Sequence, residues 1–143
     1  MGDDDRAIEE LLAAYATSIT KLTPTSVRDT WRAWKEAYPL PPKQPHAILQ
    51  DTVIHRLAAV SRSLAAKHAL AAYYGQTPGE VVVLTVDSLV GWECTCRAMP
   101  PVDELDINVL VTARGFAWTF GSSQLWRRRT LYGGPVFLER ANL

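Results

Sequence analysis

Two cysteines, three histidines and no surplus of either charge are all that the 143-residue chain offers toward a metal centre, a disulfide scaffold or a nucleic-acid binder. Each shortage closes off a class. A secreted domain stapled by bridges needs several cysteine pairs, so the expectation is a reducing cytoplasm and a fold held by its own core. Fifteen basic residues against fifteen acidic ones leave no net charge, and attraction to nucleic acid or to an acidic membrane would have to come from a local patch. No apolar stretch approaches the length of a membrane span, and the opening "MGDDDR" has neither the basic start nor the apolar run of an export signal. Missing as well are a glycine-rich phosphate loop, a G-x-S-x-G elbow and an H-E-x-x-H zinc motif.

What remains is globular composition, 48% hydrophobic and 21% charged, on a length suited to one domain spanning residues 1–143. Helical patterning comes first. Ile8, Leu11, Leu12, Tyr15 and Ile19 recur at spacings of three and four, which predicts a helix over about 4–22. Asp3, Asp4 and Asp5 at its start and Lys21 near its end suit the helix dipole. Pro24 ends it, and Ser26 with Asp29 three residues on reads as the cap of a second helix over about 26–38, carrying Val27, Trp31, Trp34 and Tyr38. The run "PLPPKQP" at 39–45 forbids helix and central strand alike and reads as a stiff connector, with a ligand for an SH3-type domain as the sharper alternative. A third helix, about 48–74, takes its apolar stripe from Val53, Leu57, Val60, Leu64 and Ala71 and stops at Gly75.

After Thr77-Pro78-Gly79 the period changes from helical spacing to alternation. Segments 80–87, 90–98, 106–113 and 115–122 are rich in β-branched and aromatic residues, and a short fifth strand is expected at 136–139. The predicted fold is α+β, with three N-terminal helices packed on one face of a four- to five-stranded antiparallel meander.

Cys94 and Cys96, two apart in "GWECTCRAM", share one strand face with Trp92, while Glu93, Thr95 and Arg97 share the other. Core filling is the plainer reading. A zinc site would need two further ligands at a recognised spacing, so no metal is expected, and side chains two apart on a regular strand lie too far apart for a relaxed disulfide.

Three constellations could carry function. Asp51 and His55 are four apart on the third predicted helix, where the carboxylate could orient an imidazole base, and His68 lies at the margin of the same helix's apolar stripe. Tyr74, Trp92 and Trp118 could wall a pocket between helices and sheet. The segment "QLWRRRTLY" brings together Trp126, Arg127, Arg128, Arg129 and Tyr132, and aromatics with arginine are favoured interface anchors. The residues therefore favour a small intracellular protein-binding or accessory module, immunity- or adaptor-like, with a protein partner or a second copy of the chain as ligand and no cofactor. The alternative is a small-molecule-binding enzyme or carrier using the Asp and His pair, and nucleic acid ranks behind a protein partner because the net charge is zero.

Overall fold

The computed structural model describes residues 2–37, 62–65, 71, 73–85, 88–105, 107–116, 118–123 and 128–133, with backbone alone for 62–65, 122–123 and 128–133. The order of elements is α1 (Asp3–Tyr15), β1 (Ala16–Lys21), α2 (Pro24–Ala37), β2 (Arg62–Ala65), β3 (Glu80–Thr85), β4 (Gly91–Cys96), a 3₁₀ turn at Val102–Glu104, β5 (Val109–Ala113), β6 (Trp118–Ser123) and β7 (Arg128–Gly133). Among the described residues seven strands make one antiparallel sheet in the order β1-β4-β3-β5-β6-β7-β2. The α+β class with an antiparallel sheet stands. Among the described residues no helix is long and apolar enough to cross a membrane.

The start of the chain departs from the sequence-based expectation. The first helix ends at Tyr15, and residues 16–21, expected to continue it, form β1 against β4. Ile19 satisfies both the helical spacing from Tyr15 and strand alternation, and β-branched Thr17, Ile19 and Thr20 tip the balance where β4 offers an unpaired edge. Lys21 therefore does not serve a helix end, and α1 has no basic residue in its last turn. Pro24 opens α2 rather than closing α1, and the capping hydroxyl belongs to Thr23, whose Oγ1 accepts the Ser26 N–H at 3.1 Å.

The third predicted helix, 48–74, is broken at Arg62–Ala65, which pairs with β7 as β2. Sheet pairing there overrides an alanine-rich helical pattern. Ala71, Tyr73 and Tyr74 are helical, and the Gly75 N–H closes that turn on the Ala71 carbonyl at 2.9 Å. Most of the remaining predicted helix, the proline connector and the 136–139 strand lie outside the described residues.

The sheet is not a simple meander, because β3 sits between β4 and β5 and the chain passes over β3 between those two strands. Nor do the helices share one face. Ile8 and Leu12 of α1 and Tyr73 pack with Val81, Val83, Trp92, Cys94, Cys96, Val109, Val111, Trp118 and Phe120, whereas Val27 and Trp34 of α2 pack on Val82, Leu84 and Leu110. Alternate residues of β3 and β5 thus feed two cores. The physical cause is legible in "VVVL": a run of four apolar residues has no polar face to give to water, so its strand must be covered on both sides.

A chain of buried hydrogen bonds fastens α2. Trp34 Nε1 donates to Thr119 Oγ1 at 3.2 Å, Thr119 donates to Thr112 Oγ1 at 3.2 Å, and Thr112 donates to the Trp118 carbonyl at 2.9 Å. Trp31 meets Trp34 edge to face at 5.3 Å between ring centroids. On the α1 side Tyr73 stacks on Phe120 at 4.2 Å and donates its hydroxyl hydrogen to the Pro100 carbonyl at 2.6 Å. The β5–β6 hairpin turns through Gly115, whose φ of 89° suits glycine, and the Phe116 N–H bonds the Ala113 carbonyl at 2.8 Å.

Candidate functional site

Helix α2 covers β3, β5 and β6 but leaves the β1 and β4 end of its sheet face open. Across that end the strand register sets polar side chains side by side. Thr20 faces Glu93, which faces Val82; one step along, Ser18 faces Thr95, which faces Glu80. Arg114, just past β5, closes the row with an ion pair to Glu80 at 3.1 Å. These residues line an open concavity of about 190 Å³.

Local chemistry explains its character. Because β4 alternates, Trp92, Cys94 and Cys96 enter the α1-side core while Glu93 and Thr95 are left on the open side. On β1 the same alternation sends Ile19 inward and leaves Ser18 and Thr20 exposed. The Glu80–Arg114 pair is well exposed, so it orders the rim more than it stabilises the fold. Glu93 is exposed too, and among the described residues nothing hydrogen-bonds or ion-pairs with its carboxylate. The lining thus holds two carboxylates against one guanidinium already engaged by one of them, together with three hydroxyls able to donate or accept. Such an arrangement is complementary to a group that is cationic or rich in hydrogen-bond donors. With about 190 Å³ it has less room than the roughly 300–1,000 Å³ of a small-molecule site, and a single side-chain head group fits that scale better.

The residues singled out from sequence fall elsewhere. Asp51, His55, His68, Trp126 and Arg127 lie outside the described residues. Arg128, Arg129 and Tyr132 sit on β7 at positions paired with Ser123, Ser122 and Thr119. By register Arg128 and Tyr132 belong to the α2 face of the sheet and Arg129 to the α1 face, so consecutive arginines are divided between two sides. Moreover, β7 is flanked by β6 and β2 and is not the outer strand.

Trp92 and Trp118 are buried within the α1-side core, and Tyr74 is 43% exposed, its hydroxyl bonded to the Asp103 carboxylate. Burial and that bond push the Tyr74 hydroxyl above its ordinary range, and burial does the same to Tyr73. Cys94 and Cys96 are free thiols in the core. The Cys96 contact and burial together hold Cys94 protonated, which makes it a poor nucleophile. Among the described residues no group of three or more histidine, cysteine or acidic side chains is placed to hold a metal.

Sequence reasoning recorded Glu93 and Thr95 as one polar strand face and missed their neighbours Ser18 and Thr20, which it had placed on a helix. The alternation in "TSITK" was the signal that could have found them. Comparison with known proteins supplies no relative: no family model, no curated protein and no solved structure matches the chain.

Proposed function

We propose that the chain is a small intracellular protein-binding or accessory module that engages its partner through the open polar end of the sheet. The observation that carries this reading is the contrast along one sheet face: α2 seals β3, β5 and β6 with buried tryptophan and valine, then gives way to exposed Ser18, Thr20 and Glu93 and half-buried Thr95 around a concavity. A concavity of side-chain size on an otherwise packed fold suits recognition of a macromolecule's surface groups. Arg128 and Tyr132 belong by register to that sheet face on β7, with four strands between it and β1, and in this reading they are a second, separate contact region. Arginine and tyrosine are favoured anchors where they are buried by a partner.

The test is native mass spectrometry of the protein isolated gently from its own cells, as wild type and with Glu93→Lys or the triple change Arg127→Ala, Arg128→Ala, Arg129→Ala. A stoichiometric protein partner or a defined homo-oligomer with wild type, weakened by Glu93→Lys without loss of folding, is the expected outcome. A bare monomer, or a retained small molecule in place of a protein, would sink the reading. Loss of the complex only with the triple arginine change would move the contact surface to β7.

A further inference from the structure

We infer that Cys94 and Cys96 form a two-thiolate site for a soft monovalent ion, Cu(I), with the Trp92 indole N–H as the polar group that supports its charge. The site belongs to the α1-side core and does not depend on what the polar concavity binds.

Strand spacing sets the geometry. Cys94 and Cys96 lie at the end of β4 on one inward face, both free thiols and both buried. Residues two apart on a strand are separated by roughly 6.5 Å, whereas a relaxed disulfide needs Cβ atoms within about 3.5–4.5 Å. A two-coordinate ion spans a longer gap: two metal–sulfur bonds of about 2.3 Å in line hold their sulfurs about 4.6 Å apart, a distance that two thiols leaning toward each other can meet. The thiols do approach, since Cys94 donates a hydrogen bond to Cys96. Opposite them the register of β1 slips between Ala16 and Ser18, and a bulge of this kind bends its strand and re-aims side chains. The neighbour facing Cys96 is only Ala16.

The walls select the ion. Cys94 faces Ile19 on one side and Val81 on the other, and Met99 brings a thioether into the same core cluster. Sulfur ligands in apolar surroundings favour Cu(I). Zinc in a structural site takes four ligands, and among the described residues no third histidine, cysteine or acidic side chain joins the pair.

Charge brings in Trp92. Loading replaces two S–H bonds by two S–Cu bonds, releases two protons to solvent and moves no electrons, so one Cu(I) between two thiolates leaves one negative charge in the core. Trp92 precedes Cys94 on the same inward face, is fully buried, and its Nε1 has no hydrogen-bond partner among the described residues. Buried donors without a partner are uncommon in folded proteins. A thiolate on the same face is an acceptor that the surrounding valine, leucine and isoleucine side chains do not supply.

The probe is Cu(I) itself, added without oxygen and with ascorbate to the reduced full chain, in competition with the chelator bicinchoninate. One ion retained per chain is expected. X-ray absorption of that complex, which needs no variant, should show sulfur neighbours only. Cys94→Ala and Cys96→Ala, each checked for native circular dichroism, should lose the ion to the chelator. Trp92→Phe should weaken binding about ten- to a hundredfold, the usual cost of removing a group that supports a metal ligand. Substoichiometric uptake, nitrogen or oxygen bound to the copper, full retention in either cysteine variant, or unchanged affinity in Trp92→Phe overturns the inference. Equal retention of Zn(II) in the same competition also overturns it, because two sulfurs alone do not satisfy a four-coordinate ion.

Discussion

Trp34 and Trp92 are both fully buried, yet their indole nitrogens are treated differently. Trp34 Nε1 donates to Thr119, whereas Trp92 Nε1 has no hydrogen-bond partner among the described residues. A made hydrogen bond contributes about 0.5–1.5 kcal/mol net, and a buried donor left unpaired costs about 1–3 kcal/mol. Replacing either ring by phenylalanine removes a similar volume, so the polar terms should decide the difference. Trp34→Phe is expected to lower unfolding free energy by at least about 1 kcal/mol more than Trp92→Phe, as read from urea denaturation. The reverse order would mean that the Trp92 N–H is satisfied in solution. At this scale the sequence was informative about burial and silent about partners. Alternation in "GWECTCRA" placed Trp92, Cys94 and Cys96 on the inward face, but which indole finds a threonine hydroxyl depends on α2 meeting β6 across 85 positions of chain.

Elements were legible where one pattern had no rival. The segments now seen as β3 to β6 were anticipated within a few residues, because runs of valine, isoleucine and aromatics between turns have a single reading. Residues 16–21 carried two compatible periods, and the choice between helix and strand was made by β4, a partner distant in sequence. Strand β7 was read as an interface segment because its arginines dominate its composition, yet its backbone is paired on both sides. The candidate site inherits this history: it joins β1, β4, β3 and the residue after β5, and no single stretch contains enough of it to form a motif.

Strands β3 and β4 pack closely at Gly91, where an added Cβ would stand 2.7 Å from Leu84 Cδ2 and 3.1 Å from the Val83 carbonyl oxygen. Gly91→Ala should therefore destabilise by about 1–3 kcal/mol through overpacking. Part of that cost should vanish in a Leu84→Ala background, where the methyl is gone. A double-mutant cycle that returns strict additivity would show that the backbone contact, and not Leu84, sets the limit.

For the whole molecule, the decisive fact is a sheet that the described residues clothe on both faces at its centre and on one face at its β1 end. Strands β3 and β5 contribute side chains to both cores, so their amides should exchange with solvent only on global unfolding, whereas β1 pairs with one strand among the described residues and should open earlier. Native-state hydrogen exchange measures this order directly, and protection of β1 equal to that of β3 would show that the edge opens only with the whole domain. The direct join of α1 to β1, with Tyr15 ending one and Ala16 starting the other, also has a mechanical side. Tension applied near Asp3 is carried first by α1, whose Ile8 and Leu12 are lodged in the core on the far face of the sheet. The helix acts as a toggle behind a panel: the load must draw these side chains out before it can unzip β1 from β4, so that strand pair is shielded from force arriving from that side.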